Sequence, residues 1–160
     1  MVALDTETTG FREDGGSEEL IQIGIKRENG KTLSKFFLPS GTISAKATEI
    51  TGLTMEKLRQ LGAELFTVED TTEILDFVGP TAIVVMHNKK FDIAVLLKAF
   101  KAVEVRLPLK TYDEDYWETR CTQEIAKQLG QPETLDELCS LFNIERPQKH
   151  DALADASATL

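Results

Sequence analysis

The sequence predicts an α/β fold with a mixed sheet, and three observations support this prediction. The N-terminal segments alternate in polarity like strands and are joined by Asn29-Gly30, a strong β-hairpin turn signal. Thr81–Met86 (TAIVVM) is an almost continuous apolar run, which is typical of a buried central strand. After Pro39 the apolar residues mostly follow a helical period. A hairpin meander followed by helices around a parallel-type strand is characteristic of the α/β class.

Each element is predicted from its own pattern. Strands are predicted at Val2–Leu4, Leu20–Lys26, Thr32–Leu38 and Thr81–Met86. Helices are predicted at Ala45–Ile50, Met55–Leu61, Thr67–Val78, Phe91–Phe100, Thr122–Leu129, Thr134–Phe142 and Asp151–Leu160. Gly79-Pro80 ends the third helix. The stretch 102–118 has no clear period, and we assign to it a loop and a short strand.

Length and composition fit a single domain over residues 1–160. The chain is long enough to bury a real core, and its 41% hydrophobic and 28% charged residues are ordinary for a globular protein. The net charge of -9 argues against a broad nucleic-acid-binding face, which would have to be basic. It does not exclude a small site where metal ions supply the positive charge. Cys121 and Cys139 have no metal-like or redox spacing, as expected for buried thiols in a reducing compartment.

No membrane segment is expected. The longest apolar run, Ala82–Met86, is far too short to cross a bilayer. Asp5 and Glu7 interrupt the first apolar stretch at once, which argues against a signal peptide. We therefore expect a soluble, cytoplasmic protein with no membrane partner.

The motif VALDTETTG places two carboxylates at the end of the first predicted strand. Asp5 and Glu7 are two residues apart, so on a strand both side chains project from one face. Two like charges this close raise each other's pKa unless a cation lies between them. Mg²⁺ or Mn²⁺ is the natural cation for oxygen ligands. The alternative is a pair of solvated acids at a strand end.

The motif HNKKFD, residues 87–92, follows the buried strand directly and opens a helix. Asp92 would lie near the first turn of that helix, where the helix dipole favours a carboxylate. Asn88 could equally be a simple capping residue. Taken alone, this motif is explained by ordinary helix chemistry.

The motif HDALADA, residues 150–156, contains the second of the two histidines. Asp155 follows His150 by five residues, an offset that does not share one helix face. His150 must therefore lie on a loop before the helix if both serve one site, with Asp151 as the N-cap. The alternative is a surface histidine before a capped helix.

In this order, the three motifs resemble those of the DEDDh exonuclease superfamily, which has the RNase H-like fold. That family has Asp-x-Glu at the end of its first strand, an Asp after an apolar strand, and a His with an Asp five residues later. The segments IQIG, ATEITGLT and TLDELCSLFNI match as well, so the resemblance covers essentially the whole chain. It is greatest with the proofreading subunit or domain of bacterial replicative DNA polymerases. It implies a mixed five-stranded sheet flanked by helices.

The resemblance implies a 3′→5′ exonuclease that releases nucleoside 5′-monophosphates from DNA or RNA. Its catalytic metal site would hold two divalent ions, Mg²⁺ or Mn²⁺, through Asp5, Glu7, Asp92 and Asp155. His150 would be the general base for the attacking water. His87 has a structural role in the family pattern. The implied partners are single-stranded or frayed 3′ ends and a polymerase or other protein subunit.

The resemblance also implies a pocket for the terminal nucleotide. The matching positions are Thr8, Thr9, Ile50, Thr51, Asn88 and Phe91, with Ile50 as an apolar wedge against the last base. Thr51 stands where proofreading subunits commonly have His, which leaves the substrate preference open. No residue visibly reads a 2′-hydroxyl, so the sequence does not distinguish DNA from RNA.

Basic and aromatic residues add weaker signals. Lys89, Lys90 and Lys149 flank the motifs, where they either contact phosphates or are solvated surface lysines. Tyr116 and Trp117 are candidates for base stacking, although core packing explains them equally well.

Two other function classes fit parts of the sequence. An aspartyl phosphatase also carries acids at i and i+2 after an apolar strand, but as Asp-x-Asp-x-Thr, whereas the second acid here is Glu7. A non-catalytic interaction module of the same fold is disfavoured because all five catalytic-type residues are present. A family member that trims RNA, and a domain of a larger protein, both stay compatible with the sequence.

Overall fold

A computed structural model describes residues 1–109 and 117–160, and its five strands form one mixed sheet in the order β3-β2-β1-β4-β5. The strands are β1 (Val2–Thr8), β2 (Leu20–Arg27), β3 (Thr32–Phe36), β4 (Ile83–Met86) and β5 (Glu118–Cys121). The first three pair antiparallel, whereas β4 pairs parallel with both β1 and β5. The predicted α/β class, the N-terminal meander and the interior position of the TAIVVM strand, which pairs on both sides, are therefore confirmed.

Seven α-helices lie within the described residues. They are α1 (Ala45–Thr51), α2 (Met55–Gln60), α3 (Val68–Val78), α4 (Lys89–Ala102), α5 (Thr122–Gln128), α6 (Leu135–Phe142) and α7 (Ala152–Thr159). Five of them begin at a side chain that accepts a backbone N–H of the first turn, as N-caps do: Ser44, Thr54, Thr67, Thr134 and Asp151. In residues 1–109 and 117–160, no helix combines the length and the apolar character that crossing a membrane requires.

Several boundaries differ from the predictions; β3, for example, ends at Phe36 rather than Leu38, and β4 begins at Ile83 rather than Thr81. β1 runs on to Thr8, four residues beyond the predicted Val2–Leu4, because its pairing with β2 continues through both acids. α4 begins at Lys89, two residues earlier than predicted. The polar strand β5 starts only at Glu118, the last residue of the stretch 102–118, and its letters ETRC carry no apolar pattern to predict it.

The aromatic residues named as stacking candidates do not form an exposed platform in the described part of the chain. Trp117 is only 1% exposed, packs in the main core, and donates its indole N–H to the carbonyl of Gly79 at 3.0 Å. The stacking interpretation of Trp117 is therefore wrong, since a buried ring cannot receive a base. Tyr116 lies outside the described residues.

The last helix, α7, packs directly on β2 and β1, and Gly24 makes this close approach possible. A Cβ on Gly24 would lie 2.2 Å from the carbonyl carbon of Ala152 and 2.2 Å from the backbone nitrogen of Leu153. The buried Gln22 fixes the start of α7, because its amide donates to Asp151 at 2.8 Å and its oxygen accepts the Ala152 N–H. The depth of α7 against the sheet is thus set by two residues of β2.

Gly24→Ala is expected to destabilise the protein by about 3 kcal/mol or more, because the new methyl group meets backbone rather than a movable side chain. Chemical denaturation would measure the free energy of unfolding. Ser34→Ala, opposite Gly24 on β3 and exposed, is the matched control and should change stability little. Wild-type stability in Gly24→Ala would contradict the close packing of α7.

Candidate functional site

One cavity of about 470 Å³ is lined by acids and histidines from all three motifs. Its lining includes Asp5, Glu7, His87, Asn88, Phe91, Asp92, Asp136, Arg146, His150 and Asp155. These residues come from β1, the turn between β4 and α4, the start of α4, the start of α6, and α7 with the segment before it. Elements far apart in the chain thus bring five acids and both histidines to one place.

The first strand supplies two acids to this cavity. Asp5 and Glu7 alternate with Thr6 along β1, and both carboxylates face the cavity, as the spacing of two predicts. They lie opposite Gly24 and Gln22 of β2, the residues that seat α7. The same strand pair therefore positions the acids and the helix that carries Asp155.

Asp92 lies in the first turn of α4 and is only 1% exposed. Its Oδ1 accepts hydrogen bonds from the backbone N–H and the hydroxyl of Thr6, at 3.0 and 2.7 Å. Its Oδ2 is buried and has no hydrogen-bond partner among the described residues. A buried carboxylate oxygen without a donor is costly unless a cation satisfies it, so this atom fits a metal ligand.

Asn88 precedes α4 but does not cap it. Its backbone is left-handed, with φ 62°, and its side chain makes no cap hydrogen bond. The capping interpretation of Asn88 is therefore wrong, since an N-cap residue needs extended backbone to reach the first turn. The side chain is exposed and faces the cavity instead.

His150 lies on the loop immediately before α7, as the five-residue offset to Asp155 requires. Asp151 caps the helix by accepting the Ala154 N–H at 3.0 Å, as predicted. His150 is exposed, whereas Asp155 is buried. One ligand-type atom from each of Glu7, His150 and Asp155 lies within 4.8 Å of the other two. An ion or a water molecule between them would touch all three.

The motifs did not reveal Arg146, which contacts a predicted metal ligand. Its Nε and Nη2 donate to the two oxygens of Asp155 at 2.6 and 2.5 Å, and its Nη1 donates to Asp136. Arginine is not a metal ligand, so a search for ligand residues passes over it. The available signal was electrostatic, because four acids converging on one buried site need a nearby cation.

The lysines near the motifs are mostly paired with acids. Lys89 lies 3.1 Å from Glu124, and Lys149 pairs with Asp136. Lys90 is exposed. The structure thus gives two of the three lysines a local ionic partner.

Burial and mutual repulsion perturb the acids of the cavity. Burial raises the pKa of Asp5 well above its ordinary value, and the charges of Asp92, Glu7 and Asp155 raise it further. Burial, with the charges of Asp155 and Asp92, raises the pKa of Glu7 to about 8. Burial also raises the pKa of Asp92 to about 7, although the hydrogen bonds from Thr6 oppose this shift. Such a cluster favours a bound divalent cation, which would stabilise the ionised forms.

The metal-free protein is expected to lose thermal stability as the pH rises from about 5 to about 8. Over this range the unfolded chain releases the proton of Glu7, whose ordinary pKa is 4.5, whereas the folded chain keeps it up to about 8. The folded state then binds more protons, so raising the pH favours unfolding. Asp5 and Asp92 act in the same direction. Melting temperatures in a chelating buffer would measure the effect.

Added divalent cation should flatten this dependence, because a bound ion removes the reason for the raised pKa values. Asp70 does not oppose this trend. Its hydrogen bonds to Lys35 and Thr67 lower its pKa, against the opposing effect of burial, so its contribution to stability is already complete by about pH 5. A melting temperature that rises from about pH 5 to about pH 8 in chelator would contradict the prediction.

His87 lies on the wall of the cavity rather than at its centre. Its Nδ1 is 2.9 Å from the Thr122 hydroxyl, and burial lowers its pKa. It therefore joins the end of β4 to the start of α5. This contact is in keeping with the structural role that the resemblance implied.

Of the six predicted nucleotide-contacting residues, Asn88 and Phe91 line the main cavity. Thr8 and Phe91 line a neighbouring cavity of about 220 Å³, where the ring of Phe11 meets that of Phe91 edge to face at 5.9 Å. Phe91 thus lies between the two cavities. These three predicted positions therefore line the main cavity or the cavity beside it.

The other three residues lie elsewhere. Thr9 is fully buried, and its hydroxyl accepts the backbone N–H groups of Ser17 and Glu19, so its side chain holds the loop after β1 and cannot reach a nucleotide. Ile50 is 44% exposed at the end of α1, outside the cavity lining. Thr51 hydrogen-bonds within α1 through the Ala47 carbonyl.

Solved structures share this fold. Exonuclease I has a TM-score of 0.81 with the chain at 18% identity, over 99% of this chain and 38% of that protein. A structure of Escherichia coli exonuclease I with a dT13 oligonucleotide gives the same TM-score and identity, over 99% and 39%. The zinc-bound form of the E. coli exonuclease I–ssDNA complex gives a TM-score of 0.82 at 19% identity, over 99% and 38%. The chain thus shares the RNase H-like fold of exonuclease I.

The sequence comparison identifies the family. A family model described as "Exonuclease", that of RNase T, matches residues 2–160. The chain therefore belongs to this exonuclease family, and the resemblance inferred from the three motifs is confirmed.

Curated relatives include PolC-type DNA polymerases III and a DNA polymerase III subunit epsilon-like protein. The chain is 30% identical to the PolC-type DNA polymerase III of Bacillus subtilis, over 99% of this chain and 11% of that protein. It is 36% identical to the Thermotoga maritima PolC-type enzyme, over 64% and 7%. A DNA polymerase III subunit epsilon-like protein of Rhodobacter capsulatus is 25% identical, over 99% and 22%. The chain thus spans only a small part of each relative.

Proposed function

We propose that the chain is a divalent-metal-dependent 3′→5′ exonuclease that hydrolyses the terminal phosphodiester bond of single-stranded or frayed DNA. The observation that carries the proposal is the convergence of Asp5, Glu7, Asp92 and Asp155 on one cavity with His150 at its edge. Membership of the exonuclease family supports the reaction class. The products would be nucleoside 5′-monophosphates.

The four acids would hold two Mg²⁺ or Mn²⁺ ions. When bound, these ions would supply activation of a water molecule and stabilisation of the leaving 3′ oxygen. The carboxylates offer hard oxygen ligands, and the orphaned Oδ2 of Asp92 supports a cation at this site. The raised pKa values of Asp5 and Glu7 support a bound cation as well, because the ionised carboxylates repel one another unless a positive charge lies between them.

His150 would act as the general base. It is exposed on a loop, so its ring can reach the mouth of the cavity and exchange its proton with solvent. A ring nitrogen lies close to oxygens of Glu7 and Asp155, within the span of 4.8 Å noted above. A water between them would be within hydrogen-bond reach of the imidazole, which is the geometry that proton abstraction needs.

The substrate assignment rests on the relatives. Those reported above include PolC-type DNA polymerases III, and one structural neighbour is described as bound to a dT13 oligonucleotide. We infer that Thr8, Asn88 and Phe91 contact the terminal nucleotide of DNA, that a polymerase is the protein partner, and that the chain works in the cytoplasm. The net charge of -9 supports a small metal-assisted site rather than a broad basic surface.

The deciding experiment compares 5′-labelled single-stranded DNA with an RNA of the same sequence, with Mg²⁺, with Mn²⁺ and with chelator. Stepwise shortening of the DNA from its 3′ end, only with metal, supports the proposal. Faster shortening of RNA would instead favour an RNA-trimming enzyme. Internal cuts, or cleavage that survives chelation, would overturn the proposal. A complete lack of cleavage, with and without the partner polymerase, would favour a non-catalytic module.

A further inference from the structure

Arg146 forms a two-pronged contact with Asp155, one of the four acids proposed to bind metal. Nε lies 2.6 Å from Oδ1 and Nη2 lies 2.5 Å from Oδ2, so both carboxylate oxygens are engaged. Both side chains are only 7% exposed. Such a bidentate pair is among the strongest ionic contacts that side chains make, and here it engages one lone pair on each oxygen of a carboxylate that would also bind metal.

Arg146 is also the one permanently charged cation among the described residues that line the cavity. Burial would lower its pKa, but the hydrogen bonds to Asp155 and the charges of Asp155 and Asp136 raise it, so the guanidinium stays ionised. Its charge lowers the pKa of Asp5 and of Glu7, against the larger opposing effects of burial and the other acids. Arg146 therefore offsets part of the repulsion among the acids.

A second acid is available to the same guanidinium. Nη1 of Arg146 already donates to Asp136, which lies in the first turn of α6 and is 45% exposed. Asp136 also pairs with Lys149, next to His150. The guanidinium thus bridges a buried carboxylate at the centre of the cavity and a solvated carboxylate at its rim.

We propose that Arg146 is an internal counter-ion that competes with divalent cations for Asp155, and that metal binding shifts the guanidinium to Asp136. The inference rests on the proposed metal site. A guanidinium and a divalent ion on the same carboxylate would repel each other across a poorly solvated gap, so one displaces the other. Arg146 is thus a positioning residue that holds Asp155 in place while the site is metal-free and sets the metal affinity.

The first test is the binding of Mn²⁺ alone to Arg146→Met, measured by titration calorimetry. Methionine keeps much of the apolar volume and removes the charge. We expect Mn²⁺ to bind at least about tenfold more tightly than in wild type, because the loss of one nearby positive charge removes a repulsion that the low solvation of the site strengthens. In chelator the variant should melt at a lower temperature than wild type, because the acids then lack their counter-ion.

Arg120→Met is the matched control, since Arg120 is an exposed arginine on β5 that pairs with Glu118. It should leave the Mn²⁺ affinity unchanged. Unchanged or weaker Mn²⁺ binding in Arg146→Met would overturn the proposed competition between Arg146 and the metal ion for Asp155. If wild type itself binds no Mn²⁺, the proposed metal-dependent function fails as well. If wild type binds Mn²⁺ and Arg146→Met binds it no more tightly, only the proposed role of Arg146 fails.

A second variant keeps the proposal testable if Arg146→Met does not fold. Asp136→Asn removes the alternative partner of the guanidinium, so Arg146 should stay on Asp155 and Mn²⁺ should bind more weakly than in wild type. In the Arg146→Met background the same Asp136→Asn change should have a much smaller effect. An equal effect of Asp136→Asn in both backgrounds would show that Asp136 acts only through its own charge. That result would overturn the proposed shift of the guanidinium from Asp155 to Asp136.

Discussion

Asp5→Asn is expected to lower exonuclease activity by roughly 10³-fold or more, beyond the roughly 10–100-fold loss typical when only a partner of a metal ligand is removed. At the same time it should raise the melting temperature of the metal-free protein. The two effects have one cause, because the charge needed to bind cations is the charge that destabilises the empty fold. Burial and three neighbouring carboxylates raise the pKa of Asp5 well above its ordinary value.

The amide keeps the shape of the carboxylate and removes its charge. A variant that is less active but more stable than wild type has therefore lost a catalytic group and has not lost its fold. Activity on labelled single-stranded DNA and melting in chelator near pH 8 would measure them. Asp76→Asn, an exposed acid on α3, is the matched control and should change neither. If Asp5→Asn cleaves DNA at the wild-type rate, Asp5 does not hold a catalytic metal.

Most of the fold could be predicted because hydrophobic period and turn residues are local signals. The Asn-Gly turn, the apolar TAIVVM segment and the helix caps each identify an element without reference to the rest of the chain. β5 could not be predicted in this way, since its polar residues form a strand only by pairing with β4. The extension of β1 through Asp5 and Glu7 has the same cause, because pairing with β2 outweighs the polar sequence.

The acids of the site could be predicted because their spacing and order are written in the chain, but their neighbours could not. Arg146 belongs to the site through contacts with Asp155 and Asp136 that depend on how α6 and α7 meet. Thr9 lies within the first motif, two residues after Glu7, yet the loop after β1 folds back and its backbone N–H groups bind the Thr9 hydroxyl. Sequence spacing thus identifies side chains that share a site, while contacts across elements decide which of them are free to act.

Near neutral pH, His150→Asn is expected to lower the rate of single-stranded DNA cleavage by roughly 10²–10⁴-fold, the usual contribution of a general base. Asparagine suits this position because His150 has φ 56°, in the left-handed region that Asn tolerates better than most residues. The affinity for Mn²⁺ should change little, because a base acts on water and not on the ion. Calorimetry and single-turnover cleavage with saturating metal would measure the two quantities.

The Mn²⁺ titration matters because the geometry admits a second role for this histidine. Its ring lies close enough to Glu7 and Asp155 to complete a three-residue metal site. A metal ligand would lose Mn²⁺ affinity on substitution, and raising the metal concentration would then restore the rate. A general base would keep its metal, and free imidazole would restore the rate of His150→Gly in Mg²⁺ buffer, because the exposed loop leaves room for it. Two results together would therefore show that His150 is a metal ligand and not the general base. These are that added metal restores the activity of His150→Asn, and that imidazole does not restore the activity of His150→Gly.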